Sequence, residues 1–117
     1  MSAHIATVQR IYEAFSRGDI PAILAHVADD VEWEYDGHPE IPWLVPRHGK
    51  TGVTEFFHAL GAIDIRSFVP KTIVGSERVV VALIDVEFVV RSTARRVKEP
   101  EEVHIWHFDT AGRVSRA

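Results

Sequence analysis

The sequence contains no cysteine among its 117 residues, and this absence excludes disulfides, iron–sulfur clusters, thiolate zinc sites and thiol nucleophiles. Only histidine and carboxylate side chains are left as metal ligands. The sequence also lacks long apolar runs. Its longest, from Val79 to Ile84, is far shorter than the roughly 20 residues that a bilayer-spanning helix needs, and the N-terminus lacks the basic and apolar regions of an export signal. We therefore expect a cytoplasmic protein with no membrane partner.

Excess positive charge is also absent. The chain carries 17 acidic residues against 13 Lys and Arg, a formal net charge of −4, which gives no general attraction to phosphate backbones or anionic lipids. Nucleic acid is therefore not expected as a partner. The 46% hydrophobic and 26% charged content is typical of an ordinary globular protein, and the length predicts one domain over residues 1–117.

Apolar residues at helical spacing predict three helices in the first half of the chain. The first is predicted over about 3–17. A short second helix begins after Asp19 and ends near Asp29, and a third begins at Thr51 and ends at Gly61. The apolar positions behind these predictions are Val8, Ile11, Tyr12 and Phe15, then Ile20, Ile23, Leu24 and Val27, then Val53, Phe56, Phe57 and Leu60.

The rest of the chain predicts β-strands. The segment 31–36 alternates apolar and acidic residues, which is typical of a strand with one buried face and directs Trp33 and Tyr35 inward. After the third helix, segments rich in Val, Ile and Phe are separated by turn residues. The predicted strands there are Ile65–Val74, Arg78–Ser92, Val97–Phe108 and Arg113–Ala117. Helices followed by an antiparallel meander predict an α+β fold.

Alternation within the later strands predicts which side chains face the helices. The even positions from Ile84 to Val90 are apolar, whereas Asp85 and Glu87 are charged and should face outward. In the following strand His104 shares a face with Trp106 and Phe108. The opposite face is amphipathic too, so alternation does not determine which face of this strand is directed toward the helices.

The segment 37–49 contains three prolines around Trp43, a pattern that forbids a regular helix and favours a lid-like loop held by apolar anchors. Gly49-Lys50-Thr51 resembles the end of a phosphate-binding loop, but the required earlier glycine falls on Leu44, so no ATP site is predicted. His104 and His107 leave opposite faces of a strand, so we predict no metal site and no cofactor.

Short segments in a characteristic order span nearly the whole chain. They are Val8-Gln9-Arg10, Gly18-Asp19-Ile20, Ala28-Asp29-Asp30-Val31, Arg47-His48-Gly49, Phe56-Phe57, His107-Phe108-Asp109 and Gly112. The ordered set resembles the NTF2-like superfamily and, within it, the SnoaL-like and ketosteroid-isomerase-like proteins. The resemblance implies a cone, in which a strongly curved antiparallel sheet wraps round three N-terminal helices and a pocket opens between them. It also implies homodimers through the outer sheet surface.

The isomerases of that superfamily use a tyrosine on the first helix, an aspartate base at the end of the first strand and a protonated aspartate on a late strand. The resemblance places Ile11, Tyr35 and His104 at these three positions, so steroid isomerisation by that mechanism is not expected. Relatives usually continue the last strand beyond position 117, so one wall of the pocket is expected to be shortened, disordered or completed by other segments.

The site residues follow from this cone. His104 among apolar groups would be a neutral imidazole able to act as acid and base, Tyr35 and Tyr12 would donate hydrogen bonds to an oxyanion, and Asp36 would be the base or orient the imidazole. A structural His104 and a turn-forming surface Asp36 are the alternatives. The predicted catalytic residues are His104, Asp36 and Tyr35, and the predicted substrate-binding residues are Tyr12, Trp33, Trp43, Phe56, Val86, Phe88 and Trp106.

Two functions fit these residues. The first is a cofactor-independent isomerase, cyclase or hydrolase that transfers protons on a small apolar or polyketide-like molecule. The second is a non-enzymatic ligand-binding or dimerisation module. The two differ in whether His104 meets Asp36, Tyr35 or Tyr12 across an accessible cavity.

Overall fold

A computed structural model describes residues 3–34 and 45–117 of the protein. Its helices are α1 (Ala3–Ser16), α2 (Ile20–Leu24) and α3 (Gly49–Ala59), the last continued by a 3₁₀ turn at Leu60–Ala62. Within the described residues, no helix is both long enough and apolar enough to cross a membrane.

The first two helices form because of the signals that their sequences carry. α1 buries its apolar stripe and ends before Gly18, whose φ of +68° is readily adopted only by glycine. The carboxylate of Asp19 then caps α2 by accepting a hydrogen bond from the backbone N–H of Ala22 at 3.2 Å. α2 nevertheless stops five residues before Asp29, because Val27 already belongs to a strand and the carbonyl of His26 accepts a hydrogen bond from Val114 at 2.9 Å.

α3 begins two residues earlier than predicted. The chain makes a short strand pairing at His48 and turns directly into the helix through Gly49, which has a φ of +71°. Thr51 therefore lies inside the first helical turn, and the cap position is His48, which makes no side-chain capping bond. Glycine at this junction replaces the hydroxyl cap because the turn from strand to helix requires a left-handed residue.

Six strands form one sheet in the order β2-β1-β6-β5-β4-β3. They are β1 (Val27–Trp33), β2 (Arg47–His48), β3 (Ile63–Gly75), β4 (Val79–Val90), β5 (Arg95–Phe108) and β6 (Val114–Arg116). Every neighbouring pair is antiparallel except β1 and β6, which run parallel. The predicted antiparallel sheet is thus mixed at this one pair, because no hairpin links β1 to β6, and α3 and the β3–β5 meander lie between them in sequence.

The structure confirms the α+β cone. The long strands bend at β-bulges, two in β3 and one in β5, because an extra residue on one strand increases local twist and curvature. The even positions of β4 from Val80 to Val90 are all buried. Trp33 on β1 is buried as well. The inward choice on β5 is also settled, since Trp106 and Phe108 are buried while Ile105 is exposed.

Candidate functional site

A cavity of about 590 Å³ lies between the helices and the curved sheet. This volume is in the range of small-molecule sites in proteins, about 300–1,000 Å³. Its wall is mostly apolar and aromatic. The apolar residues that line it include Ile11, Tyr12, Phe15, Trp33, Phe56, Phe57, Leu60, Ile63, Ile65, Phe68, Val86, Phe88 and Trp106.

Aromatic rings hold one another in place around this cavity. The Trp33 ring lies 5.9 Å from Phe56, 5.7 Å from Phe57 and 5.7 Å from Trp106, measured between ring centroids. Tilted and edge-on pairs at such distances are the favoured arrangements of aromatic side chains. Because these rings are packed against one another, neighbouring side chains cannot readily move into the cavity and fill it.

One side of the cavity is polar and carries four linked side chains. Trp106 Nε1 lies 3.1 Å from Tyr12 Oη, Tyr12 Oη lies 2.8 Å from His104 Nδ1, and His104 Nε2 lies 2.8 Å from Glu102 Oε2. We call Trp106, Tyr12, His104 and Glu102 the polar chain. It connects the buried end of the cavity, at Trp106, to a carboxylate whose side chain is 32% exposed.

Tyr12 is the buried hydroxyl of the polar chain. Burial raises the pKa of Tyr12 well above its ordinary value, the negative charge of Glu102 adds to this effect, and the hydrogen bond from Trp106 opposes it. The phenol is therefore a neutral group near pH 7. Its hydroxyl already contacts His104, so it is engaged in the polar chain instead of being held ready for an oxyanion.

Glu102 lines the cavity, although it is not among the predicted site residues. It lies inside the predicted strand Val97–Phe108, and in the structure β5 begins two residues earlier, at Arg95. A bulge then resets the alternation, because Pro100 and Glu101 together face the single residue Asp85 of β4. Glu99 and Glu102 consequently both line the cavity. The available signal was the spacing, since residues two apart on a strand share a face and Glu102 stands two before His104.

A second polar group lies at the rim. Arg116 Nε is 2.8 Å from Glu34 Oε1, and both side chains also line the cavity. The hydrogen bond from Arg116 lowers the pKa of Glu34 below its usual value. Both side chains are more than half exposed, so this pair marks the mouth of the cavity and not its interior.

The structure brings together most of the predicted site residues. His104 and six of the predicted binding residues line the cavity, namely Tyr12, Trp33, Phe56, Val86, Phe88 and Trp106. Tyr35, Asp36 and Trp43 lie outside the described residues. Across residues 3–34 and 45–117, no three His, Asp or Glu side chains come together in a group that could hold a metal ion.

Residues 8–117 match the SnoaL-like domain family. This chain belongs to that family. The match covers all of the cavity wall described above, including the polar chain. No curated protein matches the chain, so the family membership establishes the fold and the type of domain but not a reaction.

Solved structures of SnoaL-like and NTF2-like proteins share the architecture. An NTF2-like protein of unknown function from Burkholderia pseudomallei is 30% identical, with a TM-score of 0.84 over 99% of this chain and 88% of that one. TerC, crystallised with polyporic acid, is 23% identical with a TM-score of 0.79 over 97% and 86% of the two chains. A computationally designed 17-OHP binder is 17% identical with a TM-score of 0.77 over 99% and 90%.

Proposed function

We propose that this SnoaL-like protein binds a small, largely apolar molecule in its cavity and that Glu102, oriented by His104, acts as a general base toward it. The observation that carries the proposal is the Glu102 carboxylate on the polar side of a mostly apolar cavity, with one oxygen bonded to His104 at 2.8 Å. The other oxygen, Oε1, has no hydrogen-bond partner among the described residues. A base needs such a free lone pair facing its substrate.

The cavity supports the binding part of the proposal. Its volume of about 590 Å³ and its aromatic lining suit a molecule of several fused or linked rings. Two proteins of the same fold point the same way, since TerC was crystallised with polyporic acid and a designed protein of this fold binds 17-OHP. Those ligands belong to those proteins. For this chain they support only the general class of a small molecule inside the cone.

The polar chain supports the role of Glu102 as the base and gives His104 a different role from the one that the sequence predicted. Both ring nitrogens of His104 already have partners, at 2.8 Å each, so the imidazole is placed to orient Glu102 and not to contact a substrate directly. A carboxylate held by a histidine on one oxygen presents the other in a fixed direction. Positioned general bases contribute about 10²–10⁴-fold to rates.

Binding is tested with N-phenyl-1-naphthylamine, an apolar dye whose fluorescence rises in apolar surroundings. Val86→Trp puts an indole into the cavity and is expected to weaken dye binding at least about tenfold, because the space is lost. The matched control is Val89→Trp, on the opposite face of the same strand, which should leave binding unchanged. Equal binding by the wild type and both variants would place the dye elsewhere and overturn the binding site.

Proton transfer is tested with 5-nitrobenzisoxazole. A base removes its ring C–H proton, the electron pair forms the nitrile, and the N–O bond breaks to give a coloured phenolate. We expect the wild type to accelerate this reaction over free acetate at the same pH and Glu102→Gln to lose at least about 100-fold. Normal dye binding with no acceleration would leave the non-enzymatic binding module as the function.

We also propose that the protein forms a homodimer through the outer face of its sheet. Val74, Val81 and Ile105 are aligned across β3, β4 and β5, and Val74 and Ile105 are 56% and 46% exposed. Contiguous exposed apolar side chains on a sheet favour association. Ile105→Asp should shift the sedimentation mass to that of a monomer, whereas Val45→Asp, at an exposed valine away from this face, should not. A monomeric wild type would contradict the proposal.

A further inference from the structure

The polar chain begins at a group that can only donate and ends at one that can only accept. The indole N–H of Trp106 has no lone pair to offer, and an ionised Glu102 carboxylate has no proton. Trp106 therefore donates to the oxygen of Tyr12 at 3.1 Å, which directs the Tyr12 hydroxyl proton toward His104 Nδ1 at 2.8 Å. The remaining ring proton lies on Nε2 and is donated to Glu102 at 2.8 Å.

The reverse direction leaves polar groups without partners. A proton on Nδ1 of His104 in place of Nε2 would point the Nε2 lone pair at the Glu102 carboxylate. It would also deprive the Tyr12 hydroxyl of its acceptor, and Tyr12 is only 9% exposed. A doubly protonated His104 would deprive Tyr12 of that acceptor too. Because an unpartnered buried polar group is costly, the chain is satisfied in one direction only, with a neutral imidazole.

This direction has a consequence for the cavity. Every donor of the polar chain is already used, on Tyr12, His104 or Glu102. The oxygen of the chain that is left without a partner, Oε1 of Glu102, is an acceptor on a residue that lines the cavity. Outside the polar chain, two residues with donor groups also line the cavity, His107 and Arg116, and Arg116 is bound to Glu34 at the rim.

We propose that the one-way polar chain makes this wall an acceptor surface, so that the cavity selects ligands whose polar group donates a hydrogen bond. A hydroxyl or N–H compound is preferred over one of the same shape that carries only a carbonyl. This inference rests on the proposed function, since it requires that a small molecule enters the cavity. It goes further by naming the polar group that such a molecule must carry.

The test compares 1-tetralol with 1-tetralone, which share one carbon skeleton and differ in whether the oxygen can donate. Affinities are measured at pH 7 by displacement of N-phenyl-1-naphthylamine from the wild-type protein. Because hydrogen bonds to a charged group are the stronger ones, we expect tetralol to bind about 10–100-fold more tightly. Equal affinities, or tighter binding of tetralone, would overturn the inference while leaving the proposed binding function intact.

Glu102→Gln gives a sharper result because the chain dictates how the amide is oriented. His104 Nε2–H continues to donate its hydrogen bond to the side-chain oxygen. The amide NH₂ then replaces Oε1 and offers the ligand a donor. We expect the preference to reverse in favour of tetralone. Glu101→Gln, an exposed neighbour on the same strand, is the matched control and should keep the wild-type preference. An unchanged preference in Glu102→Gln contradicts the direction of the chain.

The direction can also be read without any ligand. ¹⁵N NMR of the histidine rings at pH 7 should give His104 as the neutral form with its proton on Nε2, and His58, which is exposed on α3, serves as a reference. A proton on Nδ1, or on both nitrogens, overturns the inference. If the NMR result is as expected but neither tetralin compound binds, the proposed function is wrong and the ligand selectivity fails with it.

Discussion

The inner faces of β4 and β5 are paired residue by residue but are built for different purposes. On β4 the inward positions Ala82, Ile84 and Val86 are apolar and at most 8% exposed. Their partners on β5 are His104 opposite Ala82, Glu102 opposite Ile84 and Glu99 opposite Val86. The inward positions of β4 thus carry apolar side chains, whereas the directly paired positions of β5 carry polar ones.

The difference is tolerated because the two sets of side chains face different surroundings. Ala82 and Ile84 lie fully buried in the apolar core, whereas His104 and Glu102 border the cavity and keep 27% and 32% of their side-chain surface accessible. They also bond to each other and, through Tyr12, to Trp106. Buried polar groups survive in proteins when they are paired in this way. A charge is therefore acceptable on one strand and excluded from the other.

The largest effect should come from placing a charge on the packed side of this pair. Ile84 is 0% exposed, and Ile84→Asp would bury a carboxylate with no partner. We expect a loss of about 3–5 kcal/mol in the free energy of unfolding, measured by urea denaturation. Its cross-strand partner gives the control, since Glu102→Gln keeps an acceptor for His104 Nε2–H and should stay within about 1 kcal/mol of the wild type. Equal losses at both positions would contradict the division between the strands.

A smaller effect is expected when the polar chain is interrupted at its centre. Tyr12→Phe leaves the indole N–H of Trp106 without an acceptor and should cost about 1–3 kcal/mol of unfolding free energy. Trp106→Phe and the double variant complete a mutant cycle. Because the two residues share one hydrogen bond, their effects should be less than additive. Strict additivity would mean that the bond contributes nothing to stability.

Periodicity and turn chemistry were enough to predict most of this fold. The helical stripe of α1, the cap at Asp19 and the alternation of β4 are local signals, and the structure confirms each of them. Two features depend on contacts between distant parts of the chain and were not predictable locally. The parallel pairing of β1 with β6 is one, and the end of α2, set by the pairing of His26 with Val114, is the other.

The candidate site was predictable in part for the same reason. Alternation places His104 and Trp106 on one face of β5, and both line the cavity. The place of Glu102 in the cavity wall was not predicted, because the bulge beside it shows only when β5 is paired with β4. The hydrogen bond between Tyr12 and His104, 92 positions apart in the chain, is likewise a property of the folded cone. The cytoplasmic location stays a prediction.

The polar chain should also give stability a dependence on alkaline pH. Burial raises the pKa of Tyr12 in the folded protein, whereas the unfolded chain ionises near the ordinary value of about 10. A raised folded pKa means that the contribution is complete below about pH 10 and is lost as the pH rises above it. Denaturation between pH 9 and 11 should therefore show a decline that is absent in Tyr12→Phe. An identical decline in that variant would assign the effect to other groups.

The smallest effect is expected at the rim of the cavity, where Arg116 donates to Glu34 at 2.8 Å. This distance equals that between His104 and Glu102, so distance alone would rank the two pairs together. Both rim side chains are more than half exposed, however, and water and salt screen exposed ion pairs. Arg116→Gln should leave the melting temperature unchanged within error, while His104→Phe, which breaks the polar chain, lowers it. If the rim variant proved the more damaging, hydrogen-bond length and not position in the cone would determine which polar pairs hold this protein together.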